Sequence, residues 1–123
     1  MTALELLETY PKAANAIAQF YQKRLIDSMN TEDVPEDYKE VLRSQPFDNQ
    51  YVAKFVHANP RILFDVFDEN GLFIETLYME DTFHYTITNG EEILETNTEK
   101  YETRIECDRA VIEVAISLLN ELL

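Results

Sequence analysis

Nucleophiles, bases and metal ligands are scarce in this chain. It has two histidines, His57 and His84, and one cysteine, Cys107. No HxxxH or HExxH spacing links them, so a zinc site would require His57, His84 and Cys107 to converge by tertiary folding alone. Cys107 has no CxxC partner and no adjacent base, and its apolar helical neighbours make it read as a buried, inert thiol. His57 falls near a helix end, where it would favour the C-terminal dipole. His84 falls on the polar side of a strand. Asp65, Asp68, Glu69 and Asn70 suggest a calcium loop, but the D-x-x-D-E-N-G spacing lacks the alternate ligands and the closing glutamate of one. The carboxylate-rich loop 91–102 offers no rigid ligand geometry. Paired carboxylates for glycoside chemistry need an aromatic cleft, and the chain has no tryptophan. The two glycines, Gly71 and Gly90, both stand in turn contexts and cannot build a phosphate-cradling loop. The sequence therefore offers no catalytic residue, no metal-ligand set and no cofactor site, and predicts a protein that is not an enzyme.

Charge carries more information than chemistry here. The chain has 123 residues, with 24 acids against 10 bases, for a net charge of −14. Residues 65–108 hold thirteen of those acids and only Lys100 and Arg104 as bases. Such a field repels phosphate backbones and anionic lipids, which argues against direct nucleic-acid or membrane binding. It would attract a basic partner protein. It could equally serve only to keep a small domain soluble. The single cysteine fits a reducing compartment, no apolar run approaches the length of a membrane span, and the opening MTALELLETYPK lacks the features of a signal peptide. These features predict a cytoplasmic protein.

The elements that must position these groups follow from period and capping. The composition, 46% hydrophobic, suits one domain over residues 1–123, with neither half able to bury its apolar residues alone. TALE at residues 2–5 is a capping box that starts a short helix reaching about Thr9. Pro11 restarts the chain, and residues 12–29 form an amphipathic helix with Ala14, Ile17, Ala18, Tyr21, Leu25 and Met29 on one side. A third helix runs from Pro35 to before Pro46, with Tyr38, Val41 and Leu42 at helical spacing. A fourth begins at the cap Asp48, carries Tyr51, Val52, Phe55 and Val56, and ends at Asn59-Pro60. Beyond Pro60 the period changes. RILFDVF reads as a strand, DENG at 68–71 as its hairpin turn, and LFIETLYM as the answering strand. TFHYTIT alternates as a half-buried strand, Asn89-Gly90 marks another turn, EEILET forms a short last strand, and NTEK is exposed loop. The expected fold is α+β: N-terminal helices, an antiparallel meander of three to four strands, and a long C-terminal helix packed on the sheet.

That last helix, within YETRIECDRAVIEVAISLLNELL, starts at Arg104 if Thr103 and Glu106 form a capping box; Asp108 is a rival cap. Its polar residues crowd into about one third of the circumference, about half the usual share. The sheet and the N-terminal helices can cover so wide an apolar surface, or a second copy of the chain can. In the second case Ile112, Ile116, Leu119 and Leu123 form a dimer seam. Either arrangement puts Val111 in the core.

YETRIECDRAVIEVA, closing a short strand meander, resembles the ends of small bacteriophage and mobile-element proteins. These share a tyrosine, a Thr-Arg or Ser-Arg cap, an acidic residue, a small residue and an Ala-Ile helix, here Tyr101, Thr103, Arg104, Glu106, Cys107, Ala110 and Ile112. NPRILFDVFDENGLFIE is similar to the strands that precede such helices, and the likeness covers roughly residues 48–119. It departs in the loop 89–100 and at Cys107, where alanine is usual. The resemblance implies an accessory protein and supplies no functional residue.

Three readings remain open. The first is a binding module whose acidic sheet face, with Asp68, Glu69, Glu75, Glu80, Asp81, Glu91, Glu92, Glu95, Glu99 and Glu102, engages a basic protein. The second is a self-assembling protein that dimerises through its C-terminal helix. The third is a small-molecule binder or enzyme with a pocket holding His84, Cys107 or clustered tyrosines.

Overall fold

The computed structural model describes residues 1–29, 34–45, 47–97 and 99–123. Its element order is α1 (Ala3–Thr9), α2 (Pro11–Met29), α3 (Glu36–Ser44), α4 (Asn49–Ala58), a single 3-10 turn (Pro60–Ile62), α5 (Leu63–Glu69), β1 (Phe73–Met79), β2 (Thr82–Thr88), β3 (Ile93–Thr96) and α6 (Arg104–Leu122). The fold is α+β. A three-stranded antiparallel sheet in the order β1-β2-β3 carries α6 on one face.

Local signals set most of the helix starts. The Thr2–Glu5 capping box forms with both bonds present. Asp48 caps α4 by accepting from the Tyr51 N–H at 2.8 Å, and Asn59 ends that helix. Thr103 caps α6 by accepting from the Glu106 N–H at 3.2 Å. The cap of α2 is not local: Asn120 near the end of α6 accepts from the Lys12 and Ala13 N–H groups at 2.9 and 3.2 Å. A distant side chain thus satisfies donors that would otherwise be orphaned at that helix start.

Four expectations are corrected. RILFDVF is not a strand but the 3-10 turn followed by α5. Leu63, Val66 and Phe67, all at 0–1% exposure, have the i, i+3, i+4 spacing of a helix face; the run is short, and such runs do not reveal their own period. DENG is accordingly a helix end rather than a hairpin turn. The Leu72 N–H donates to the Phe67 carbonyl at 2.9 Å and the Gly71 N–H to the Asp68 carbonyl at 3.2 Å, with Gly71 at φ 77°. That is a Schellman closure. On α3 the spacing suggested an inward stripe, yet Tyr38 and Val41 are half exposed while Lys39 is buried. Gln22 reaches from α2 to the carbonyls of Leu42 and Gln45 and holds α3 in that orientation. The stop at Pro46 and Thr98 of the NTEK loop lie outside the described residues.

The fourth correction concerns the dimer seam. Ile112, Ile116 and Leu119 are 4%, 1% and 0% exposed within a single chain. α6 is covered by α2 on one side and β2 on another, so these three residues present no surface to a second copy. Leu123 remains half exposed, as do Ile105 and Leu122 at the two ends of the helix. Val111 is fully buried. The core is continuous from Leu6 and Leu7 through Ile17, Val52, Phe67, Leu72 and Ile87 to α6, so helices and sheet share one interior. Asp108 lies in that interior and pairs with Arg61 at 2.8 Å.

Candidate functional site

Strand register decides what the sheet presents. β1 and β2 pair without interruption from Phe73↔Thr88 to Met79↔Thr82, and paired residues share a face. Ile74, Thr76, Phe83, Tyr85 and Ile87 fall on the inner face, where Tyr85 and Ile87 are buried. Phe73, Glu75, Leu77 and Met79 fall on the outer face beside Thr82, His84, Thr86 and Thr88. β3 adds Ile93, opposite Thr88, and Thr96, opposite Thr86, after a bulge at Ile87/Thr88. The main helix contacts of the strands are α6 with β2 and α5 with β1. Phe73, Leu77, Met79 and Ile93 are 42%, 54%, 54% and 64% exposed. The result is an open surface with Phe73 and Ile93 flanking Thr88 at one end, Leu77 and Met79 at the other, and the row Glu75, Thr86 and Thr96 between them; exposed apolar side chains gathered on one face mark interaction sites.

The acids take a different place from the one expected. Of the ten, only Glu75 stands on the outer face by register. Asp68 and Glu69 close α5, Glu80 and Asp81 form the β1–β2 turn, Glu91 and Glu92 lie in the β2–β3 turn, Glu95 is on β3, and Glu99 and Glu102 lead into α6. All ten are exposed. The sheet face therefore carries apolar residues and threonines with Glu75 as its one carboxylate, and the other acids lie in the turns at both ends and beside them. A seven-residue strand spans about 20 Å, which sets the separation of those ends.

The two turns differ in chemistry. Asn89 accepts from the Glu91 and Glu92 N–H groups at 3.0 and 2.9 Å, and Gly90 takes φ 94°, as Asn-Gly predicts. Glu80 and Asp81 both hold positive φ, 54° and 64°, without a glycine. Left-handed backbone costs roughly 1–2 kcal/mol per ordinary L-residue, less for Asp. The turn is held by the Tyr78 hydroxyl, which donates to Asp81 at 3.3 Å, and by Thr82, whose hydroxyl donates to the Met79 carbonyl at 3.2 Å.

His84 sits mid-face opposite Leu77, on the polar side as expected, and both of its ring nitrogens are engaged. The Asn97 amide lies 3.3 Å from Nδ1, and Thr82 Oγ1 lies 2.9 Å from Nε2. Asn97 is oriented by the Tyr85 N–H, which donates to its Oδ1, and by the Glu99 carbonyl, which accepts from its Nδ2. Its amide therefore donates to Nδ1, which leaves the ring proton on Nε2, pointing at Thr82. His84 is thus a held structural group. His57 stands in the last turn of α4, as read from the sequence. Cys107 is completely buried; burial first and Asp108 second push its thiol pKa up, which keeps it protonated. It lines no pocket. A cavity of about 500 Å³ beside α1 is lined by Leu6, Val56, His57, Arg109, Ile112 and Glu113, among others, and includes neither His84 nor Cys107. Among the described residues no three His, Cys, Asp or Glu side chains converge to hold a metal ion, and no helix is long and apolar enough to cross a membrane.

On the inner side the electrostatics are those of a core edge. Burial first, then Tyr101, Glu95, Cys107 and Glu99, raise the Tyr85 phenol. Tyr78 packs against Phe83 with centroids 4.9 Å apart and ring planes inclined by 51°, and the Arg104 guanidinium lies 5.2 Å from the centroid of the same Phe83 ring.

No protein-family model matches the chain, and neither a curated protein nor a solved structure matches it.

Sequence reasoning missed the apolar half of this surface. The signal was present in β1: Leu77, Tyr78 and Met79 are consecutive, and three consecutive strand residues cannot all face one core.

Proposed function

We propose that this chain is a small, acidic, non-enzymatic binding module that docks a basic partner protein on the outer face of its sheet. One observation carries the reading: Phe73, Leu77, Met79 and Ile93 stand exposed on a face closed at both ends by Glu80, Asp81, Glu91 and Glu92. Apolar area supplies affinity on contact, and the carboxylates select and steer a cationic partner. The lone cysteine supports a cytoplasmic setting, and the resemblance of the C-terminal segment supports an accessory role of the phage or mobile-element kind.

The test is affinity capture from bacterial lysate with three proteins side by side. These are the wild type, a Leu77→Glu/Ile93→Glu variant, and a variant with Glu80, Asp81, Glu91 and Glu92 changed to their amides. The wild type is expected to retain a basic protein that is released at about 0.5 M salt, where screening is short-ranged. The first variant should lose it and the second should hold it weakly. Equal capture by all three proteins would remove the sheet face from the binding function.

A further inference from the structure

The two lateral edges of the sheet are unequal. On its far side, β2 is paired with β3 and, beyond it, with Asn97 and Tyr101: the Asn97 N–H donates to the Tyr85 carbonyl at 3.3 Å and the Phe83 N–H to the Tyr101 carbonyl at 2.8 Å. β3 is a poor template, since it has four residues and a bulge. β1 is the opposite case. It has seven residues in unbroken register and contains no proline, lysine, arginine or bulge. Proline, charged side chains and bulges are among the devices by which proteins blunt an exposed strand edge, and β1 carries one such charge, Glu75. Among the described residues, no backbone group of 74–78 is bonded outside the β1–β2 ladder. Alternate residues of such a strand turn both N–H and C=O outward, unpaired.

We propose that the partner binds as an added β-strand along the edge of β1. It does so through an extended segment of about seven residues, apolar at alternate positions and basic at both ends. This rests on the docking function proposed above and names its mode. The occupant follows from charge and length. Glu80 and Asp81 stand beyond one end of β1, Asp68 and Glu69 precede the other, and Glu75 lies between. An extended segment matching β1 brings a terminal lysine or arginine to each acidic end, and its alternate side chains extend the apolar row of Phe73, Leu77 and Met79. A second copy of the chain is the poorer occupant: pairing β1 with β1 would set one net charge of −14 against another and bring Glu75 toward Glu75, where like charges across strands are destabilising.

The probe is the blocked peptide Lys-Val-Thr-Val-Thr-Val-Lys, titrated into the full chain with amide NMR. Two N-methylated forms accompany it, one methylated on the valines and one on the threonines. A strand added to an edge turns the N–H groups of only one parity toward that edge. One methylated form is expected to bind within about twofold of the parent and the other at least tenfold more weakly, from the loss of two to three hydrogen bonds. The parent should also slow hydrogen exchange at alternate amides of β1. Two methylated forms that both bind like the parent, with shifts confined to outer-face side chains, would overturn strand addition and leave face docking standing. No binding of the parent at about 1 mM, a threshold for even weak association, would also overturn it; the lysate capture with the Leu77→Glu/Ile93→Glu variant judges the docking function separately. A β1-to-β1 dimer in light scattering would replace the basic segment by a second copy and overturn the proposal.

Discussion

The two faces of the sheet are made by the same strands and have opposite fates. The inner face buries Tyr85 and Ile87 under α6. The outer face leaves Phe73, Leu77, Met79 and Ile93 exposed among four threonines of β2 and β3 and a bonded His84. β2 alternates cleanly, so its sequence alone says which side is buried. β1 does not, since it places large apolar residues on both sides. The difference teaches that a strand's own pattern can leave its orientation undetermined, and that the partner strand's register supplies it. It also separates apolar residues that build the fold from apolar residues that the fold leaves available.

Four expected outcomes would break or sharpen that contrast. Val111→Asp puts an unpaired charge into the helix that covers the inner face, and should cost at least ~4 kcal/mol, enough to prevent folding; circular dichroism with a wild-type melting transition would show Val111 outside the core. Truncation then compares the faces directly. Ile87→Ala should cost about 3 kcal/mol and Leu77→Ala less than about 0.5 kcal/mol in urea unfolding. Equal costs would mean that the outer face is packed after all. Asp81→Gly removes one strained left-handed residue from the hairpin that joins the faces, and a gain of about 0.5 kcal/mol is expected, as strain relief outweighs the added chain entropy. A loss in chemical denaturation would show the Tyr78–Asp81 bond to outweigh the strain. The smallest effect is read by alkaline titration. The Tyr85 phenol is raised by burial, so the folded state keeps this proton at a pH where the unfolded chain releases it. Its contribution to stability is therefore complete below the ordinary phenol range near pH ~10 and is lost as pH rises through the higher folded value. Tyr85→Phe should flatten that alkaline decline in urea midpoints; an unchanged slope would remove Tyr85 as its source.

Much of the fold was legible because its signals are local. Thr2 with Glu5, Pro11, Asp48, Asn89-Gly90 and Thr103 each act within a few residues of where they stand. What escaped was non-local or ambiguous. Nothing in the sequence announces that Asn120 caps α2 or that Gln22 orients α3. Leu63, Val66 and Phe67 fit a helix, but in so short a run they also fit a strand. The β1–β2 turn has no glycine to mark it. For the candidate site, composition correctly located the acids in the middle of the chain. Only strand register could assign them to the turns and give the face between them to Phe73, Leu77, Met79 and Ile93.

The Schellman closure at Gly71 has a further consequence. A methyl group built on Gly71 would meet nothing within 4 Å, so space does not require glycine there. Its φ of 77° does. What the sequence encodes at the point where helices give way to strands is handedness. A mirror-image alanine placed there by chemical synthesis should be accepted, and should stabilise the chain by restricting its unfolded state, whereas the natural enantiomer should cost about 1 kcal/mol. The direction in which β1 leaves α5, and with it the aim of the open edge, follows from the left-handed backbone at this one residue and the two hydrogen bonds that close the helix around it.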